Sequence, residues 1–233
     1  MFYVNNLLAL NLSLWLKVLS LRINLIIMKK IVLAPLALAA AAGLAFTFQT
    51  AVTPIEIGTS IPKAEVKMVN VMNDQSVSLT ELKTDKGLLV MFSCNTCPYV
   101  ISNERRIVEA QQMAKRYGIG VAVVNSNEAK RDNEDSKDAM KKYGNDQKYT
   151  APYLVDVNSE MADAFGATRT PECFLFDKDG KLVYRGAIDD SPKDQKAVKN
   201  RYLTDALTAV FKGQEITTKT TVSVGCSIKR KAQ

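Results

Sequence analysis

Histidine is absent from all 233 residues of this chain. Its absence excludes the Ser-His-Asp and Cys-His hydrolases and other enzymes that use histidine as acid or base. A zinc site usually draws on histidines or on two cysteine pairs, so zinc binding is also disfavoured. Any cysteine nucleophile must therefore be activated by a helix terminus, a nearby basic side chain or a second thiol.

Acidic residues are missing from the amino-terminal part of the chain, where none precedes Glu56. Met28-Lys29-Lys30 is followed by an uncharged Ala- and Leu-rich run over 31–48, which is typical of an export signal. We therefore interpret residues 1–51 as a leader, with translation starting either at Met28 or at Met1 of a longer membrane-inserted leader. The run spans 18 residues, near the lower limit for a membrane helix, so an uncleaved anchor is the alternative to cleavage.

The basic excess of the chain also lies largely in this leader. The formal charge is +7, but residues after 51 carry 27 basic and 24 acidic side chains, or +3. Basic and acidic residues alternate in stretches such as 130–142, so no basic stripe indicates a nucleic-acid partner. We expect a periplasmic or secreted protein, or one tethered to a membrane by its leader, in a compartment where cysteines can be oxidised.

Two of the four cysteines form the motif Cys94-Asn95-Thr96-Cys97, between the apolar run 88–91 and an amphipathic segment that begins at Pro98. Thiols with this spacing at a strand-to-helix junction can close a small disulfide, and the helix start favours the thiolate. The same spacing occurs in metal sites and structural disulfides. With no histidine and no second cysteine pair, redox chemistry is favoured, and we expect no metal and no cofactor.

Apolar periodicity predicts one α/β domain over residues 52–213, followed by a tail, 214–233, that carries Cys226. The predicted strands cover 65–71 at a sheet edge, 77–79, 87–92, 119–124, 152–157 and a hairpin of 172–176 with 181–187. The predicted helices cover one turn at 81–82 capped by Ser78 or Thr80, 98–117, 134–143, 159–165 capped by Ser159, and 198–211. Residues 126–150 are expected on the solvated surface. The unit 87–124 is expected to be a parallel β-α-β crossover with the cysteine motif at the carboxyl end of its first strand.

Three segments carry a family resemblance: MFSCNTCPYV at 91–100, Thr170-Pro171-Glu172, and DGKLVYRGAIDD at 179–190. Over residues 56–228 the chain resembles the thioredoxin superfamily, and more narrowly the exported redoxins related to alkyl hydroperoxide reductase and thiol-specific antioxidant proteins. The resemblance implies a thioredoxin-like fold, a central mixed β-sheet flanked by helices. It also implies a cis proline against the redox cysteines, preceded by a residue whose backbone pairs with substrate. Pro171 and Thr170 are thereby assigned to the catalytic site with Cys94 and Cys97.

Two arguments differ on which cysteine attacks. Familiar thioredoxins use the first cysteine of the pair, which selects Cys94. Proline is favoured at the first helical position, however, so Pro98 puts Cys97 at the N-cap, nearest the free amides. We expect Cys97 to have the lower pKa, with Cys94 as its partner. The acid that thioredoxins bury on the preceding strand is missing, because residues 88–91 are all apolar, and no base for proton transfer is evident.

The other two cysteines leave alternatives open. Cys173 follows Pro171 by two residues and is either a small buried residue or a third thiol near the site. Cys226 either resolves a mixed disulfide, bonds with Cys173 or stays free.

Three functions fit these residues. The first is an exported thiol-disulfide oxidoreductase that uses Cys94 and Cys97 on a protein disulfide, with a thiol electron donor. The second is a peroxiredoxin-like peroxidase, in which peroxide oxidises Cys97 and Cys94 or Cys226 resolves it. Peroxidases usually carry Thr or Ser three residues before the attacking cysteine; Cys94 in that place favours the first function. The third is a non-catalytic thiol- or metal-binding module.

Overall fold

The computed structural model describes residues 52–231, so the predicted leader lies outside the described residues. The strands are β1 (Met68–Asn70), β2 (Ser76–Val77), β3 (Leu88–Ser93), β4 (Gly120–Asn125), β5 (Tyr153–Val155), β6 (Arg169–Thr170), β7 (Glu172–Phe176), β8 (Leu182–Gly186) and β9 (Cys226–Ser227). The α-helices are α1 (Leu79–Leu82), α2 (Pro98–Arg116), α3 (Lys137–Asp146), α4 (Glu160–Phe165) and α5 (Tyr202–Lys212). Short 3-10 helices cover Glu128–Lys130, Val157–Ser159 and Gln195–Ala197. Within residues 52–231, no helix has both the length and the apolar character that crossing a membrane requires.

Seven strands form one mixed sheet in the order β2-β1-β5-β4-β3-β7-β8. The predicted β-α-β unit is confirmed, because β3 and β4 pair in parallel with α2 between them along the chain. The predicted hairpin is also confirmed, since β7 and β8 pair antiparallel. This topology puts the loop after β3 at the carboxyl edge of the parallel strands, where open α/β sheets collect functional groups.

Helices cover both faces of the sheet, and β3 supplies side chains to both cores. Leu89 and Met91 join the core beneath α2, α3 and α5, whereas Leu88, Val90 and Phe92 join the core beneath α1 and α4. Every residue of β3 is buried, as a strand covered on both faces requires. The continuous apolar run before the cysteine motif is thus the centre of the hydrophobic core.

The prediction of an edge strand over 65–71 is wrong. Only Met68–Asn70 pairs, and it lies between β2 and β5, so β2 is the edge strand on that side of the sheet. With only three paired residues, the alternation of apolar and polar side chains cannot distinguish an inner strand from an edge strand. The predicted strand 77–79 ends at Val77, because Ser78 caps α1 in a box with Glu81, accepting from its N–H and donating to its carboxylate.

Three helix starts also differ from the predictions. Helix α3 begins at Lys137 rather than 134, because Ser136 accepts the N–H of Ala139. Helix α5 begins at Tyr202 rather than 198. Ser159 does not cap α4 through its side chain, since its hydroxyl donates to the Ser126 carbonyl.

Asp156 supplies the first-turn acceptor of α4 instead, and burial raises the pKa of its carboxyl group. Its two oxygens accept the N–H groups of Met161 and Ala162 at 2.9 and 3.0 Å. Asp156, three residues before Ser159, therefore caps the start of α4, which is the role that the sequence pattern assigns to Ser159.

The carboxyl-terminal tail packs against the domain, where no strand was predicted. Strand β9 pairs antiparallel with β6, which immediately precedes Pro171. Ile216 and Ile228 are only 7% and 5% exposed and join the two cores. The tail therefore runs past the cysteine motif and is held on either side of it.

Candidate active site

The cysteine motif fills the short loop between β3 and α2. Cys97 occupies the N-cap of α2 and Pro98 its first position, as the sequence predicts. Cys94 and Cys97 are only 2% and 4% exposed. The two thiols therefore lie just beneath the surface at the positive end of a 19-residue helix.

Hydrogen-bond donors surround the Cys97 sulfur. The thiol of Cys94 is the strongest of them, with further donation from the Cys226 thiol and the backbone N–H groups of Val100 and Cys226. Together they hold the pKa of Cys97 well below its ordinary value, although burial opposes the shift. In its protonated form, Cys97 donates instead to the Thr170 carbonyl at 3.3 Å.

Cys94 has the opposite tendency. Its hydrogen bond to Cys97, its burial and the charge of Asp135 raise its pKa, in that order of weight. Its sulfur lies 3.3 Å from the Thr170 hydroxyl oxygen. The surroundings of the pair thus favour the proton on Cys94 and the negative charge on Cys97.

Thr170 and Pro171 lie where the family resemblance places them. The Thr170–Pro171 peptide bond is cis. Thr170 is 1% exposed and contacts both sulfurs, Cys94 through its hydroxyl and Cys97 through its carbonyl. The structure thus brings together the four residues that the sequence nominates for catalysis.

The two remaining cysteines differ in position. Cys173 is fully buried in β7 opposite Met91, and burial raises its pKa. Cys226 lies in β9 opposite Thr170, with its thiol against that of Cys97. No disulfide joins any of the four cysteines in this structure, and the Cys226 thiol faces Cys97 rather than Cys173.

A buried carboxylate beside the motif was missed by the sequence analysis. Asp135 is fully buried, although the segment around it was expected on the solvated surface. Its carboxylate accepts the Asn95 backbone N–H at 3.0 Å and the side-chain amides of Asn125 and Asn127 at 2.7 and 2.9 Å. Strand β3 carries no acid, as the apolar run indicates, but Asp135 supplies a buried carboxylate beside the pair that the sequence did not reveal. Asn125-Ser126-Asn127, at the carboxyl end of buried strand β4, was the available signal.

Asn95, inside the motif, ties the loop to this polar cluster. Its side-chain oxygen accepts the Tyr153 hydroxyl at 2.8 Å, and its side-chain amide donates to the Glu134 carbonyl at 2.7 Å. With its backbone N–H on Asp135, Asn95 is held at three points. This fixes the conformation of the loop between the two cysteines. In residues 52–231, no three His, Cys, Asp or Glu side chains gather as a metal ion would require.

Residues 56–205 match the sequence profile of the Redoxin family. The chain belongs to that family. An uncharacterised conserved protein from Geobacillus kaustophilus is 35% identical, the match covering 76% of this chain and 94% of that one, with a TM-score of 0.71. A hypothetical protein from Sinorhizobium meliloti 1021 is 32% identical over 78% and 98% of the two chains, also with a TM-score of 0.71.

The fold of this redoxin is shared more widely. A thioredoxin-like protein solved in its oxidised form is 20% identical over 69% of this chain and 100% of that chain, with a TM-score of 0.53. At that identity the match shows the fold alone, and it confirms the thioredoxin-like architecture. A search of the curated proteins returned no match.

Proposed function

We propose that this redoxin is a thiol-disulfide oxidoreductase whose redox couple is Cys94 and Cys97. The observation that carries the proposal is the placement of two adjacent thiols at the start of α2, both in contact with Thr170, in surroundings that lower the pKa of Cys97 and raise that of Cys94. The thiolate is the attacking form of cysteine, so Cys97 is the nucleophile and Cys94 the resolving thiol.

The reaction runs through a mixed disulfide. The Cys97 thiolate attacks one sulfur of the substrate disulfide, and the other substrate sulfur leaves as a thiolate. Cys94 then loses its proton and attacks the Cys97 sulfur, which releases the substrate and leaves a Cys94–Cys97 disulfide; the two substrate thiolates take up the Cys94 proton and one proton from solvent. A thiol donor restores the thiolate and thiol of the pair with two electrons and one proton.

The surroundings of Cys94 explain why it attacks second. Its hydrogen bond to Cys97 is the largest cause of its raised pKa. Once Cys97 is bonded to substrate, that sulfur no longer carries a charge, so the pKa of Cys94 falls. Burial and the charge of Asp135 raise the pKa of Cys94 before and after this step, so it is the loss of the Cys97 charge that allows Cys94 to ionise once the mixed disulfide exists.

Peroxide reduction is the second candidate, favoured by the 4% exposure of Cys97, which a small oxidant reaches more easily than a protein disulfide. The thiolate attacks one peroxide oxygen, giving a Cys97 sulfenic acid and, with one proton, water. The Cys94 thiol then displaces a second water and forms the same disulfide.

Turnover assays on the full-length chain separate these functions. Disulfide reduction is measured with insulin and dithiothreitol, and we expect Cys97→Ser to abolish it, Cys94→Ser to lower it because only Cys226 is left to resolve Cys97, and Cys173→Ser, the buried control, to retain it. Turnover unchanged in Cys97→Ser refutes the proposal. Hydrogen peroxide consumed faster than insulin disulfide puts the second candidate first. Tight copper binding with neither activity supports a thiol- or metal-binding module.

We also propose that the protein is exported, on the basis of the basic and apolar pattern in residues 1–51. Cell fractionation with a carboxyl-terminal tag tests this. Export predicts the protein outside the cytoplasm, either released or held in the membrane by its leader, and a cytoplasmic protein contradicts it.

A further inference from the structure

The tail brings a third thiol to the redox pair. Cys226 pairs in the β6-β9 ladder with Thr170, the residue that contacts both sulfurs of the couple. Its thiol hydrogen-bonds that of Cys97, and its backbone N–H also points at the Cys97 sulfur. The Tyr99 N–H in the first turn of α2 donates to the Cys226 sulfur. The β6-β9 ladder thus places this thiol beside Cys97, because both lie against Thr170.

The tail is anchored before and after Cys226, so the position of this thiol is built into the fold. Upstream, Thr221 donates its N–H to the Arg185 carbonyl at 3.0 Å and accepts the Ala187 N–H at 2.9 Å. Downstream, the Ile228 N–H donates to the Thr168 carbonyl at 3.1 Å, and its side chain is buried. The segment between these anchors crosses the cysteine loop.

The residue before Cys226 is adapted to this close approach. A Cβ atom on Gly225 would lie 2.2 Å from the Thr170 carbonyl oxygen, which is backbone and cannot move aside. Any side chain here would push β9 away from β6. The Gly225-Cys226 pair therefore meets a local requirement for placing a thiol beside Cys97.

The three sulfurs form a series from the interior to the surface. Cys94 and Cys97 are 2% and 4% exposed, whereas Cys226 is only half-buried. Cys97 contacts both of the others and is the middle member. A bulky electron donor therefore reaches the Cys226 sulfur more readily than either sulfur of the couple.

We propose that Cys226 is a third redox thiol, which transfers the disulfide of the Cys94/Cys97 couple to the surface for reduction by a thiol donor. This rests on the proposed function of that couple. The Cys226 thiolate attacks Cys97 in the Cys94–Cys97 disulfide, forming Cys97–Cys226. Cys94 leaves as a thiolate and takes up the proton that Cys226 lost, so this exchange involves no net oxidation.

Reduction then takes place at Cys226. A donor dithiol attacks the Cys226 sulfur, and Cys97 leaves as the thiolate that its surroundings stabilise. The second donor thiol displaces Cys226, which regains a proton, and the donor departs as a disulfide. Two electrons have passed from the donor to the protein.

Trapping the transferred disulfide is the first test. The full-length Cys94→Ser variant is oxidised with diamide, digested and analysed by mass spectrometry. We expect a peptide containing Cys97 linked to one containing Cys226, and no such link in the double variant that also carries Cys226→Ser. A Cys97 that is oxidised or joined to a second chain while Cys226 remains a free thiol overturns the proposal.

Reduction kinetics are the second test. Wild-type, Cys226→Ser, Gly225→Ala and the control Cys173→Ser proteins are oxidised, and their reduction by a thioredoxin is followed by quenched alkylation. We expect Cys226→Ser, and Gly225→Ala in which the thiol is displaced, to be reduced at least about tenfold more slowly than the other two. Equal rates in all four overturn this proposal alone. Failure of wild type to form any Cys94–Cys97 disulfide refutes the function of the couple as well.

Discussion

Replacing Cys94 with alanine is predicted to raise the pKa of Cys97, because the Cys94 thiol is the strongest stabiliser of its thiolate. A hydrogen bond to a charged group contributes about 1.5–3 kcal/mol, and one pKa unit corresponds to about 1.4 kcal/mol. Losing this one bond should therefore raise the pKa by about 1–2 units. Donation from Cys226 and from the helix start remains, so the shift stops short of a full return to the ordinary value.

The assay is the rate of iodoacetamide alkylation of Cys97 as a function of pH. Only the thiolate reacts, so the rate rises as pH passes upward through the pKa, and the midpoint of that rise reports it. At a pH below both midpoints, Cys94→Ala should react about 10 to 100 times more slowly than wild type. Peptide mass spectrometry assigns the label to Cys97 rather than to Cys226.

Cys94→Ser is the matched control, because its hydroxyl still donates a hydrogen bond to the Cys97 sulfur. Its midpoint should lie between those of wild type and Cys94→Ala. If the midpoint of Cys97 alkylation is unchanged or lower in Cys94→Ala, groups other than the Cys94 thiol stabilise the Cys97 thiolate. The division of roles between the two cysteines would then be wrong.

Three further predictions concern buried charges. Arg106→Ala leaves Asp189 buried without the guanidinium that lies 2.6 Å away, and should lower the free energy of unfolding by about 3–5 kcal/mol in urea melts. Arg105→Ala, which removes an exposed ion pair, should cost under about 1 kcal/mol, and equal losses would contradict this. Burial raises the pKa of Glu172 in the folded state above its value in the unfolded chain. Protonated Glu172 therefore stabilises the fold at low pH, and this stabilisation is lost as pH rises through the pKa of the folded state. In Glu172→Gln, the free energy of unfolding should therefore fall less steeply above about pH 4 than in wild type. A pH profile parallel to that of wild type would contradict this. Asp135→Asn leaves at least one buried amide donor without an acceptor and should lower the free energy of unfolding by about 1–3 kcal/mol. An unchanged free energy of unfolding would show that the hydrogen bonds to Asp135 do not stabilise the fold.

The parts of the site that depend on local sequence could be predicted. The apolar run 88–92 predicts a strand buried on both faces, and Pro98 places Cys97 at the N-cap, because each pattern is a requirement of the element it belongs to. The Asp-Gly turn at 179–180 likewise predicts the hairpin of β7 and β8. These features need no knowledge of distant contacts.

The parts that depend on distant contacts could not be predicted. Asp135 lies in a charged stretch that is usually solvated, and only the parallel pairing of β3 and β4 brings it beside the cysteine loop. Strand β9 has just two residues, and its partner is more than 50 positions away. The sequence therefore does not show which residues lie beside Cys226. They are determined by the packing of the tail across the cysteine loop.

The most direct test of the central claim is the disulfide content of the full-length chain after equilibration in glutathione buffers of graded potential. A redox couple centred on Cys97 predicts one two-electron transition in which Cys97 becomes bonded to Cys94 or Cys226, and the loss of that transition in Cys97→Ser. A transition that survives in Cys97→Ser, or four thiols that stay free across the series, would refute the couple.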